Sequence, residues 1–142
     1  MKRENMTWFL DTNIVIFCLR GKSPSAMRRI MSTPAAAVKV PFQVKAELLH
    51  GAAKSNKPIE GRQAVLEFIA PFQVIPPDDV ILEKYVTTRL ELENAGTVIS
   101  EADLWIAATA LASGGIMVTN NTREFSRVLG LAVEDWTKPE ES

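Results

Sequence analysis

The chain has 142 residues, enough for one domain with a proper core, and its 46% hydrophobic and 23% charged content is that of an ordinary globular protein. Its net charge of −1 carries no overall signature of a nucleic-acid binder, which leaves only a local basic patch for that purpose. One cysteine, Cys18, and one histidine, His50, exclude an internal disulfide, a structural zinc site and any mechanism needing two histidines, so any chemistry must come from carboxylates, hydroxyls, amides, lysine and arginine.

No apolar run approaches the roughly 20 residues that span a bilayer. Met1-Lys2-Arg3-Glu4-Asn5 leads directly into a strand and lacks the apolar segment of a signal peptide, and the single cysteine makes a reducing cytoplasm the expected setting. Trp8 to Leu10 is an apolar run that stops at Asp11, and Ile14 to Leu19 follows with helical spacing. The pattern predicts a short buried strand, a turn at Asp11-Thr12, and a helix capped near Asn13 in which Cys18 is a small buried hydrophobe. Gly21 to Pro24 breaks the pattern, and Ser23 or Ser25 can cap a second helix to about Met31. Ala36 to Val40 reads as a second strand, with Pro41 in the first turn of a helix reaching about Ala53. Lys54 to Pro58 reads as a loop, Glu60 to Ala70 as a helix, and Phe72 to Ile75 as a third strand.

Asp78 opens a long amphipathic helix to Ala95, ended by Gly96. Ser100 precedes a helix from Glu101 to about Ser113, and Gly114-Gly115 stops it before a fourth strand, Ile116 to Val118. Thr119-Asn120-Asn121 forms the exit turn, followed by a short helix from Thr122 to about Val128 and a last strand near Leu131 to Val133. Strands alternating with helices imply an α/β fold with a mainly parallel central sheet flanked by helices. Residues 1–136 read as one domain and residues 137–142 as a polar tail.

Three acids stand where solubility does not require them. Asp11 ends the first strand, Glu47 lies on the helix after the second, and Asp103 heads a face that continues as Ile106, Ala107 and Ala110. Each has a plain structural alternative: Asp11 as a helix cap, Glu47 as a solvated helix residue, Asp103 as part of a capping box with Ser100. Asn121 and Glu124 are likewise spaced for capping. In a parallel sheet, however, the carboxyl ends of the strands share one rim with the starts of the helices that follow them. Carboxylates gathered there repel one another, and a hard divalent cation, Mg²⁺ or Mn²⁺, relieves this and suits hydrolysis of a phosphodiester.

These residues resemble the PIN-domain ribonucleases, in particular the VapC toxins of bacterial toxin–antitoxin pairs. The resemblance covers nearly the whole chain and rests on Phe9-Leu10-Asp11-Thr12-Asn13, Glu47-Leu48-Leu49-His50-Gly51-Ala52, Asp103 to Ala108, and Val118 to Phe125 in this order and spacing. Gly130-Leu131 and Glu134-Asp135-Trp136 are similar to the group that cuts initiator tRNA in its anticodon loop. The resemblance implies a PIN fold, a homodimer, Mg²⁺- or Mn²⁺-dependent RNA cleavage leaving a 5′-phosphate and a 3′-hydroxyl, and a VapB-type antitoxin that blocks the site and joins in binding promoter DNA. By position it makes Asp11 and Asp103 metal ligands, Glu47 a ligand or base, and Thr12 and Thr119 orienting groups, with Asn13 beside them. Many members carry a fourth acid directly after the last of these strands, where this chain has Asn120 and Asn121, so Glu124 or the two amides stand in for it.

RNA also needs cations to grip its phosphates. Arg123 and Arg127 beside the rim, and Arg20 and Lys22 after the first helix, are the first candidates, with Arg28, Arg29, Lys54 and Lys57 behind them. Trp136 is a candidate for stacking on a base, whereas Trp105 reads as a packing residue. Two other classes compete. A phosphatase with a nucleophilic Asp11 would want a second acid two residues on, where Asn13 stands, and a non-catalytic binding module would have no need of Asp11, Glu47 and Asp103 together.

Overall fold

The computed structural model describes residues 5–139. Five strands form one sheet in the order β3-β2-β1-β4-β5, and every neighbouring pair is parallel. They are β1 (Trp8–Leu10), β2 (Val38–Pro41), β3 (Gln73–Ile75), β4 (Ile116–Val118) and β5 (Ala132–Glu134). The helices are α1 (Thr12–Leu19), α2 (Pro24–Ser32), α3 (Phe42–Ala53), α4 (Pro58–Ile69), α5 (Asp79–Ala95), α6 (Glu101–Ala112) and the single turn α7 (Thr122–Phe125). The chain steps outward from β1 to β2 and β3, then crosses back to lay β4 on the other side of β1. That reversal is the place where open α/β sheets bind ligands.

β1 and β4 are apolar throughout because both faces of the sheet are covered: Trp8, Phe9, Leu10, Met117 and Val118 are all buried. Gly115, just before β4, is required by packing. A methyl group there would overlap the ring of Phe9, itself buried in the core. Gly115→Ala is expected to lower stability in urea by about 1–3 kcal/mol, the usual range for overpacking. An unchanged unfolding midpoint would show that Phe9 has room to shift.

Several boundaries differ from the sequence reading. The cap of α1 is Asp11 rather than a residue near Asn13: its Oδ1 accepts from Ile14 N at 2.9 Å, and the helix starts at Thr12. The expected second strand begins late, because Ala35–Ala37 close a 3₁₀ turn, and Pro41 ends β2 instead of opening α3. α4 starts at Pro58, where proline at the first helical position leaves no amide unsatisfied, and α7 stops at Phe125 rather than near Val128. Ser23, not Ser25, caps α2, accepting from Ala26 N at 3.1 Å.

The end of the domain is tied down. Glu134 Oε1 accepts from the indoles of Trp8 at 3.3 Å and Trp136 at 2.9 Å, and pairs with Arg29 at 3.7 Å. The expected polar tail starts docked, since Ser25 Oγ donates to Lys138 O at 3.1 Å, and its last residues, 140–142, lie outside the described residues. Residues 1–4, expected to run straight into β1, lie outside them too. Among the described residues no helix is long and apolar enough to cross a membrane.

Candidate active site

Asp11 leaves the carboxyl end of β1 and Thr119 leaves that of β4, two strands joined in register at Leu10 and Val118. The backbone continues the pairing one step further, with Asp11 N donating to Val118 O at 3.1 Å. Asp11 is only 4% exposed. Its Oδ1 caps α1, and its Oδ2 accepts from Thr119 Oγ1 at 2.5 Å. Thr119 Oγ1 in turn accepts from Asn121 N at 2.8 Å, so the exit turn is anchored to the acid. Capping and a place in the site are therefore one arrangement. A buried carboxylate normally needs a cation beside it, and Asp11 has no ion pair among the described residues. Burial pushes its pKa up to about 6, and the nearby Asp103 and Glu47 carboxylates add to the rise against the two hydrogen bonds.

Asp103 stands in the first turn of α6, where Ser100 caps the helix by accepting from Asp103 N at 3.2 Å. Ile106, Ala107 and Ala110 anchor the helix in the core as its apolar face required. Burial again raises the Asp103 carboxyl to about 6, helped by a hydrogen bond to Glu124 and by the charges of Glu124 and Glu47. Glu124 is thus the acid that stands against Asp103. It is held by Asn121, whose Nδ2 donates to Glu124 Oε2 at 3.0 Å, while Asn121 makes no side-chain cap for α7. Glu47, exposed on α3, accepts from Thr12 Oγ1 at 3.0 Å. Asn120 points its Oδ1 into the protein, where that atom is buried without a partner among the described residues.

A cavity of about 300 Å³ opens among these groups, lined by Asp11, Thr12, Asn13, Glu47, Asp103 and Asn121. Two groups share it that the sequence reading had not joined to the acids, His50 and Lys54. They stand three and seven residues after Glu47 on the same side of α3, a helical spacing that was legible in the sequence. Among the described residues no three acidic, histidine or cysteine side chains already enclose a metal position. The donor set nonetheless fits a hard cation. It is all oxygen, it carries repelling charges, and Mg²⁺ takes few protein ligands while keeping its waters. Asp11 and Asp103 are the residues that would hold it, with Glu47 beside them as ligand or base and Glu124 standing against Asp103.

The PIN domain family matches residues 8–131. The tRNA(fMet)-specific endonuclease VapC of Shigella flexneri is 37% identical over 133 residues, 93% of this chain and 99% of the relative. This chain belongs to the VapC family of PIN-domain proteins. The ribonuclease VapC2 of Haemophilus influenzae is 32% identical over 92% of this chain and 98% of its own. The crystal structure of VapBC2 from Rickettsia felis, bound to a DNA fragment from its promoter, superposes with a TM-score of 0.87 at 29% identity, over 92% of this chain and 99% of that one.

The cations of this VapC protein divide by position. Arg123 is exposed on α7, and Arg20 and Lys22 are exposed after α1. Arg127 is engaged elsewhere, its Nη1 donating to Val98 O at 3.3 Å. Arg29 lies over the Trp136 ring, 5.0 Å from its centroid. Trp136 is buried to within 1% and cannot offer a face to a base, which corrects the stacking expectation. Trp105 packs as expected, stacked on Tyr85 with centroids 3.9 Å apart, between α6 and α5. Cys18 is buried and its thiol is pushed up to about 11 by burial, in keeping with a packing role.

Proposed function

We propose that this VapC-family ribonuclease is the toxin of a toxin–antitoxin pair. In this reading it hydrolyses a phosphodiester bond in RNA with Mg²⁺, or Mn²⁺ in its place, and its substrate is initiator tRNA, cut in the anticodon loop. The observation that carries the reading is the group of four acids at the reversal point of the sheet, two of them raised to about 6 by burial and by their acidic neighbours. The Shigella relative, named for tRNA(fMet), supports the substrate. The Rickettsia complex with promoter DNA supports a VapB-type antitoxin that restrains the toxin and joins it to DNA. An exposed aliphatic stripe on α5, Leu82, Val86 and Leu90, supports a homodimer.

When bound, the cation supplies Lewis-acid activation of water and neutralises charge at the phosphate. Asp11, just past β1, and Asp103, on α6, would hold it, and the hydrogen bond from Thr119 keeps the Asp11 carboxylate aimed. Glu47 uses one oxygen to accept from Thr12, which leaves the other to take the proton of the attacking water. Asn121 fixes Glu124 as the fourth acid. Lys54, in the cavity, and Arg123, exposed on α7, offer positive charge to the RNA backbone.

A panel of purified tRNAs incubated with Mg²⁺, Mn²⁺ or EDTA tests this. Cutting of initiator tRNA is expected with either metal and not with EDTA. Cutting in EDTA would remove the metal from the reading, and cutting of another RNA alone would change the target. A folded, antitoxin-free protein that cuts no RNA would be a binding module.

A further inference from the structure

Beside the carboxylate cavity lies a second, an open hollow of about 310 Å³ lined by α1, α3 and α4. Ile16, Glu47 and Gly51 line both, so the two are one continuous groove with Gly51 on its dividing ridge. The second cavity is of a size that takes a small planar molecule, and its wall is apolar, formed by Leu19, Leu48, Ala52 and Val65. Arg20 lines the apolar cavity and Lys54 the carboxylate one. Both are exposed, and neither has an ion pair among the described residues.

Gly51 has no reason inside the protein to be glycine. It sits within α3, where glycine is the poorest helix former after proline. Its φ is not positive, and a Cβ placed on it meets nothing within 4 Å. Gly61, in the facing helix α4, shows the contrast: a Cβ there would come within 3.3 Å of Ala52 Cβ, so packing of α3 on α4 accounts for it. Gly51 therefore leaves the groove open where the two cavities meet.

We propose that Gly51 is the crossing point of a single RNA strand. The scissile phosphate lies in the carboxylate cavity, the adjoining nucleobase rests in the apolar one, and Lys54 and Arg20 meet the phosphates on either side. This rests on the ribonuclease reading. Continuity with the cavity proposed to hold the scissile phosphate, and the cations Lys54 and Arg20 beside the two cavities, favour an RNA strand over an antitoxin peptide in this groove.

The test compares wild type, Gly51→Ala and Gly51→Leu on a short oligoribonucleotide that the wild type cleaves with Mg²⁺, with the base adjoining the cut either present or removed. Gly51→Ala is expected to melt no lower than wild type, since alanine favours the helix. Gly51→Leu is expected to raise KM roughly five- to a hundredfold, the range for one stacked base, with kcat little changed. Removing the base should weaken wild type by a similar factor and leave Gly51→Leu indifferent. An unchanged KM in a folded Gly51→Leu protein would overturn the proposal. So would a variant that binds RNA normally but has lost an antitoxin peptide, because the groove would then belong to the protein partner. If the wild type cuts no RNA, the ribonuclease reading fails separately. Fluorescence anisotropy with the intact and base-deleted oligonucleotides then reads the crossing point alone, and equal binding of both by wild type would overturn it.

Discussion

Asp11→Asn is expected to lower RNA cleavage by more than about 100-fold, beyond the 10–100-fold that loss of an outer-shell partner costs, because Asp11 would hold the metal directly. The same substitution should make the metal-free protein more stable at pH 7. The folded state holds the Asp11 proton up to about pH 6, against an ordinary value of 3.8, so ionised Asp11 is disfavoured by folding. Its stabilising contribution is complete below pH 3.8, falls as pH rises through 6, and above that leaves a penalty of about 3 kcal/mol. Asparagine keeps the oxygen that caps Ile14 N and carries no charge, so the penalty disappears. Thermal melts of both proteins in EDTA at pH 7 and pH 4 check this: a gain at pH 7 that vanishes at pH 4 is expected. A variant less stable at pH 7 would mean that the Thr119 hydrogen bond outweighs the desolvation of the charge.

Cleavage is expected to fail in acid for the same physical reason, with the opposite sign. Asp11 and Asp103 must both be ionised to hold a cation, and burial brings both to about 6. Below that pH two protons compete with the metal, so kcat/KM at limiting Mg²⁺ should fall by up to about 100-fold per pH unit, and above pH 7 it should level off. Raising Mg²⁺ should move the midpoint to lower pH, since metal and protons compete for the same oxygens. Measurements from pH 5 to 8 at two Mg²⁺ concentrations decide it. A flat profile, or a midpoint insensitive to Mg²⁺, would separate these carboxylates from metal binding. The metal-free protein, meanwhile, should be more stable at pH 5 than at pH 7.

Local rules carried most of the fold. The apolar runs before Asp11 and around Met117, the caps at Asp78 and Ser100, and the stop at Gly96 are all short-range signals, and the structure follows them. The misread boundaries are also local in origin: three alanines at 35–37 look equally at home in a strand or a 3₁₀ turn. Asp11, Glu47 and Asp103 were legible as candidates because each ends or heads an apolar run. Their mutual arrangement was not. The contact between Asp103 and Glu124 joins two helices separated by β4, and Trp136 packs on Trp8 from the opposite end of the chain. No window of sequence contains both partners. The presence of His50 and Lys54 in the acidic cavity, by contrast, followed from helical spacing.

The hydrogen bond from Thr119 to Asp11 spans 108 positions of sequence. A chain is made from its amino end at about 5–20 residues per second, and β4 can take its place beside β1 only after the intervening helices have been synthesised. Until residues 119–124 arrive, Asp11 is an isolated acid, with neither Thr119 to aim it nor Glu124 to face Asp103. The group of acids proposed for catalysis therefore comes together only near the end of synthesis, and a shorter nascent chain lacks the complete site.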